Sequence, residues 1–377
     1  MLADLGADVI HVEERDGEWT RWMESYSGQP LMWQGRHIEF ELFNHNKRGM
    51  AVDVKKAEGR EIMHRLASKA DVFLTNYRQE AAVRLGLDYE TIRQHNPQIV
   101  YTTASALGPE GPDAAVPGYE MIGNARGGVM LTMGEEKEPV FPTGGMGDRL
   151  GAVYTAYATL AAIMCKIRFG IGQKVTTSQL GAWVDIQGWS TLTALFFNSH
   201  SRFNHNDASN PVFSCYKCKD GMWLALGVSS DPRTDRWQKF CHAIDMPQLY
   251  RDPKFQDDRA RAANNHELIS ILDKVFATKT LVEWLDLLRK YDLDATKVNR
   301  LEDLASDPQV LANRFIVPWD HPQWGKINFL GFPFNMSETP PSLRSSYPEV
   351  GQHNEEVLLE LGYEWDEIAR LRDNKVI

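Results

Sequence analysis

From residue 7 to residue 103 the sequence alternates between two periods. Ala7–Val12 (ADVIHV), Met50–Val54 (MAVDV), Asp71–Leu74 (DVFL) and Gln98–Thr103 (QIVYTT) are short runs with the composition of buried strands. Between them, Ala57–Lys69 places Ile62, Met63, Leu66 and Ala67 at the i, i+3/i+4 spacing of an amphipathic helix. A short helix is expected over Glu80–Leu85, and Asp88 stands where it would cap a further helix over Tyr89–His95. Strands separated by helices run parallel, because each helix returns the chain to the same end of the sheet. The expected fold class is α/β, a parallel sheet covered by helices.

The pattern then changes. Gly144-Gly145-Met146-Gly147 leads into Asp148 and an apolar stretch that stops at Gly170-Ile171-Gly172. This predicts a long buried helix with Asp148 at its N-cap, followed by a strand over 173–180. The uncharged part, Leu150–Cys165, is shorter than the roughly 20 apolar residues of a membrane span. Asn198–Asn210 is polar and reads as a linker, with His200 and His205 at the surface. Phe213–Leu226 alternates around Lys219-Asp220-Gly221, a hairpin signal. Helices are expected near 233–244, 266–276 and 280–291, so that 211–305 forms a smaller α+β domain. Pro318–Pro341 reads as an extended tail and 354–361 as a last helix. Residues 1–200 then form the first part of a large domain, which 306–377 returns to complete.

Composition narrows the function. With 41 basic and 51 acidic residues the chain carries a net charge of −10, so it lacks the basic footprint of a nucleic-acid binder. Four cysteines in 377 residues make no disulfide framework and fit a reducing compartment. Met1–Asp8 carries acids early and lacks the basic-then-apolar order of a targeting segment. A cytoplasmic protein that engages neither membrane nor nucleic acid is expected.

Three features suggest chemistry. Cys215-x-x-Cys218, with Cys241-His242 beyond it, has zinc ligand types. The spacing puts the first two on opposite faces of a strand, however, and no second half-site matches, so no metal is expected. Gly170-Ile171-Gly172 follows a helix and opens a strand, the reverse of a dinucleotide loop. Asp148 is the strongest. Asp is a favoured cap that needs no catalytic role. Yet Gly144, Gly145 and Gly147 would let a ligand approach the backbone, and a carboxylate at a helix N-terminus stays ionised, as a nucleophile must.

Several segments, taken in order, carry a resemblance. They are LADLGADVIHVE (2–13), NKRGMAVDVKKAEGRE (46–61), ADVFLTNYRQEAAVRLGLDYE (70–90) and NPQIVYTTASALGPEGP (96–112). PGYEMIGNARGG (117–128), MGDRLGA (146–152), GIGQKV (170–175), SDPQV (306–310) and GQHNEEVLLELG (351–362) follow. Over nearly its whole length the chain resembles the class III CoA-transferases, the formyl-CoA transferase and carnitine CoA-transferase family. The resemblance implies a Rossmann-like large domain with a smaller middle domain, and homodimers interlocked like two linked rings. It implies no permanently bound cofactor. Acyl-CoA and a free carboxylic acid are the substrates, and the carboxylate of Asp148 attacks the thioester, passing through an anhydride and an aspartyl-CoA thioester. Backbone N–H groups near the glycines would stabilise the oxyanions.

By the same resemblance, CoA meets Val52 and Lys55 after the second strand, Asn76, Tyr77 and Arg78 after the third, and Arg84. Tyr119 and Glu120 match a Tyr–acid pair near the reacting centre. Glu14 stands where the family has a basic residue, with Arg15 beside it, and Pro117 replaces another, so that Lys55 and the arginines carry more of the CoA affinity. The family's glycine-rich lid has no counterpart after Asn198. An α-methylacyl-CoA racemase is the alternative, but racemases use His where Tyr119 stands, and a phenol with a pKa of about 10 is a poor base. A CoA-binding protein without activity is a third reading, against which Asp148 argues. Trp19, Trp22 and Trp33 belong either to the core, the commoner fate, or to an aromatic-acid pocket. The resemblance also implies a further strand before Leu2. Without it neighbouring strands would lose buried partners at about 1–3 kcal/mol each, so this chain is expected to be a truncated form, unstable or nearly inactive.

Overall fold

Strands pair in parallel where the alternation predicts, but in two sheets rather than one. In the computed structural model, which describes residues 1–26, 28–133, 138–142, 144–199, 204–228 and 234–377, β1 (Ile10–Glu13) pairs with β2 (Arg48–Ala51). Helix α1 (Ile38–Asn44) precedes β2, and α2 (Ala57–Lys69) follows it with Ile62, Met63 and Ala67 buried. Strand β3 (Val72–Thr75) leads to α3 (Gln79–Leu85) and α4 (Tyr89–His95). Asp88 caps α4, its side chain accepting from the N–H groups of Glu90 and Thr91. Strand β4 (Val100–Ser105) lies between β3 and β5 (Lys174–Ser178), both parallel to it, with Leu74 opposite Thr102 and Thr102 opposite Val175. Among the described residues no ladder joins β1 to β3. Side chains connect them instead, since Val12 and Phe73 pack into one cluster with Ile92, Ile99 and Tyr101.

Helix α5 (Glu120–Arg126) and the 24-residue α6 (Met146–Phe169) follow β4 in sequence, and α7 (Gln179–Ile186) and α8 (Gly188–Phe197) follow β5. Helix α6 is not the buried helix expected. Its inward face is small and polar: Thr159 meets Thr102 at 3.0 Å and Thr155 meets Thr177 at 2.7 Å. Its apolar residues point outward, with Tyr157 70% and Ile167 72% exposed. By length and composition alone it would suffice to cross a membrane.

The chain divides into two units, Met1–His200 with Arg314–Ile377, and Ser201–Asn313. In the second, β6 (Phe213–Lys217) and β7 (Trp223–Gly227) form the expected hairpin, joined by β8 (Ala295–Lys297). Helices α9 (Arg236–Ala243), α10 (Asn265–Phe276) and α11 (Leu281–Lys290) pack on it around Tyr216, Phe240, Phe276 and Trp284. Cys218 and Cys241 lie in this apolar core, and burial pushes their thiols up to about 11 and about 12. His205 is half-buried and bonded to Asp273 at 2.9 Å, not a free surface residue. His200 and Arg233, the latter at the start of an expected helix, lie outside the described residues.

The tail is not simply extended. Strands β9 (Ile316–His321) and β10 (Gly325–Leu330) form an antiparallel hairpin, where Pro318 is tolerated because a two-stranded ribbon leaves one edge of each strand free. His321 meets the buried Glu41 at 3.1 Å, and Glu41 also accepts from Ser346 Oγ and Tyr347 N, which ties the return segment to α1. Helices α12 (Asn354–Glu360) and α13 (Trp365–Asp373) cover β2, with Val357, Leu358 and Ile368 against Met50 and Val52.

Candidate active site

Asp148 is the third residue of α6, not its N-cap. Gly145 occupies the cap position with φ +69°, a left-handed conformation, and the Asp148 side chain makes no capping bond. Gly145 has no side chain with which to cap the first turn, and one of that turn's orphan N–H groups is satisfied from another helix. Gly147 N–H donates to Glu120 Oε1 at 2.7 Å, and Tyr26 Oη donates to Glu120 Oε2 at 2.9 Å. Glu120, first residue of α5, is 1% exposed. The carboxylate of Asp148 is left free to face outward, where the Gln179 side-chain amide donates to its Oδ1.

The glycines divide in their roles. A Cβ at Gly147 would stand 2.2 Å from Asn124 Oδ1 and 3.0 Å from Glu120 Cγ. Asn124 is itself fixed by Trp183 Nε1 at 2.6 Å. Gly147 is therefore required by the packing of α5 on α6 and not by an approaching ligand. Gly144 has φ +80° and open space around it, and Gly145 needs its glycine for the backbone conformation.

The charge state also departs from expectation. Asp148 is exposed, yet desolvation by the protein behind it, with Glu120 and Glu39 adding like charge, pushes its pKa up to about 6; the Gln179 bond pulls the other way. A helix N-terminus contributes about 0.3–1 kcal/mol, less than one pKa unit, and is outweighed. The carboxyl is mostly ionised at neutral pH and gains its proton just below. Burial and then Glu120 raise the Glu39 carboxyl, and burial with the Glu120 bond holds the Tyr26 phenol above its ordinary value.

The three tryptophans are not core. Trp19, Trp22 and Trp33 are 60%, 67% and 44% exposed. Trp19 meets Tyr119, the N-cap residue of α5, edge-on at 6.2 Å. Before them, Glu13 ends β1 in a buried bidentate pair with Arg21 at 2.7 and 2.6 Å, and Arg21 lies 4.1 Å over the Phe40 ring.

A model of CoA-transferase family III matches residues 1–354. The chain belongs to this family. It is 32% identical over its full length to the (R)-2-hydroxy-4-methylpentanoate CoA-transferase of Clostridioides difficile, covering 94% of that protein. It is 30% identical, again over its full length, to the cinnamoyl-CoA:phenyllactate CoA-transferase of Clostridium sporogenes, covering 92%. The crystal structure of a CAIB/BAIF family protein from Brucella suis superposes with a TM-score of 0.80 at 27% identity, covering 96% of this chain and 93% of that one.

For a CoA-transferase, the residues expected to hold CoA fall into three groups. Lys55 and Tyr77 come together beyond the C-terminal ends of β1, β2 and β3, beside Glu14, which was not among them: Lys55 pairs with Glu14 at 3.4 Å, and both charges act on the Tyr77 phenol, which burial raises. Crevices at such strand ends are where α/β proteins bind ligands. Asn76, Arg78 and Arg84 are exposed, and their side chains have no ion-pair or hydrogen-bond partner among the described residues, while Arg15 is paired with Asp16 at 3.1 Å. Val52 does not fit its expected role. Its side chain is 1% exposed in the core under α12, and its N–H is spent on the Glu13 carbonyl. Sequence reasoning missed Tyr26, Glu39, Asn124 and Gln179. Only Gln179 carried a signal, as the residue that follows a parallel strand.

Proposed function

We propose that the protein moves CoA from an acyl-CoA to a free carboxylic acid through covalent intermediates on Asp148. The observation that carries this is an outward-facing carboxyl in the first turn of α6 that makes no capping bond, the Gly147 N–H of the same turn being held by Glu120. Asp148 attacks the thioester carbonyl and CoA leaves as thiolate, giving a mixed anhydride. The thiolate attacks the Asp148 acyl carbon, which releases the donor acid and leaves an aspartyl-CoA thioester. The acceptor carboxylate attacks in turn and the two steps reverse, regenerating the Asp148 carboxylate. Covalent catalysis of this kind divides one difficult exchange into easier ones. First-turn N–H groups of α6 other than Gly147's would serve as oxyanion donors. Arg78, Arg84 and Lys55 would pair with CoA phosphates, with Tyr77 against the adenine.

We further propose that the first unit is Rossmann-like and that a second copy covers the outer faces of α6 and α8. Trp189, Leu195, Phe196 and Phe197 are 73–89% exposed, more apolar surface than a monomer normally leaves in water. Static light scattering should give a dimer mass.

The decisive assay incubates the protein with acyl-CoA donors and a panel of carboxylic acids and follows new acyl-CoA by chromatography. Asp148→Ala should abolish product while CoA binding, measured by calorimetry, persists. An alanine variant as active as the parent overturns the proposal.

A further inference from the structure

Two features beside Asp148 are not needed for CoA transfer as such. The first is an exposed ring pair. Trp19 and Tyr119 are 60% and 71% exposed, although rings of this size are mostly buried. They stand at the reacting end of α6, because Tyr119 directly precedes Glu120, the residue that holds Gly147 N–H. Seven residues after Trp19, Tyr26 bonds the same Glu120, so the segment from Trp19 to Tyr26 is anchored to that turn at both ends.

The second feature is Glu39 on α1. It is half-buried, and its carboxylate has no hydrogen bond or ion pair among the described residues. Its Oε1 lies 4.0 Å from the point a Gly145 Cβ would occupy, and its charge acts on Asp148. Left unpaired in a partly desolvated place, it repels anions near the nucleophile.

We propose that the acid exchanged at Asp148 is a monocarboxylic acid with a bulky apolar body, seated against Trp19 and Tyr119, and that Glu39 keeps a second carboxylate out. This rests on Asp148 being the transfer residue. An apolar group filling such a wall discriminates by about 10–200-fold. A second anion within reach of Glu39 in a partly desolvated site is disfavoured on the order of 100-fold.

The test compares kcat/KM for 3-phenylpropionate, acetate and succinate with one acyl-CoA donor, in the parent, Trp19→Ala and Glu39→Gln. The parent should prefer 3-phenylpropionate. Trp19→Ala should lower the 3-phenylpropionate/acetate ratio at least tenfold, and Glu39→Gln should raise the succinate/3-phenylpropionate ratio at least tenfold. If Trp19→Ala does not fold, Trp19→Leu keeps apolar bulk and should give a smaller shift in the same direction. Each variant is also treated with hydroxylamine to trap the Asp148 adduct. Adducts with unchanged ratios overturn this proposal alone; no adduct and no transfer in the parent overturns it together with the transfer reading.

Discussion

Gly147→Ala adds one methyl group where the structure has no room for it. The new Cβ would stand 2.2 Å from Asn124 Oδ1, more than 1 Å inside ordinary contact, and 3.0 Å from Glu120 Cγ. Asn124 cannot yield easily, since it is fully buried and bonded to Trp183 Nε1. Helix α5 must therefore move off α6, and the 2.7 Å bond from Gly147 N–H to Glu120 is stretched or lost. Overpacking costs about 1–3 kcal/mol and a hydrogen bond to a charged group contributes about 1.5–3, while Ala in place of Gly in a helix returns about 1. The net loss is about 1.5–5 kcal/mol, a large fraction of the roughly 5–15 that holds a domain together. Urea unfolding followed by tryptophan fluorescence should show the midpoint falling. Adding Asn124→Ala should recover part of the loss, because it removes the atom that is struck. A Gly147→Ala protein as stable as the parent would refute the packing argument and return Gly147 to the role of a ligand-facing glycine.

Other outcomes follow from the same geometry. Because Asp148 must be ionised to attack and titrates at about 6, kcat/KM should fall with unit slope below pH 6; a profile flat to pH 5 contradicts this. Stability runs the opposite way: the folded state binds this proton more tightly than the unfolded chain, so Asp148→Asn should raise Tm at pH 7.5, and the gain should vanish below about pH 4. Arg21→Met strands Glu13 in a pair whose side chains are 6% and 0% exposed, and should cost about 3–5 kcal/mol in chemical denaturation. In deuterated buffer a 2-methylacyl-CoA should gain no label at its α-carbon during transfer, since Tyr119 stands in place of a histidine base; exchange as fast as turnover would favour racemisation.

Much of the first unit was legible because its signals are local. The period of α2 and the Asp88 cap of α4 each sit within a few residues of what they specify, and so does the Asp220-Gly221 turn of the β6–β7 hairpin in the second unit. What failed to show was set by distance along the chain. Asp148 reads as a cap until the helix is seen to start at Met146 with Gly145 at the cap, and the Gly147 N–H to be held by Glu120, 27 residues before Gly147 in another helix. Its pKa depends on Glu39, and nothing near position 39 announces that it will meet position 148. The β9–β10 hairpin was masked by Pro318, whose edge position only the fold reveals. The gap between β1 and β3 is likewise a pairing fact, invisible to periodicity.

The central claim is that Asp148 carries the CoA between donor and acceptor. It is tested by mixing the enzyme with an acyl-CoA that it turns over, withholding the acceptor acid, quenching with hydroxylamine and mapping the peptides by mass spectrometry. The account predicts a hydroxamate on the peptide holding Asp148, absent in Asp148→Asn. A hydroxamate on any other residue, or turnover with no covalent adduct at all, would contradict it.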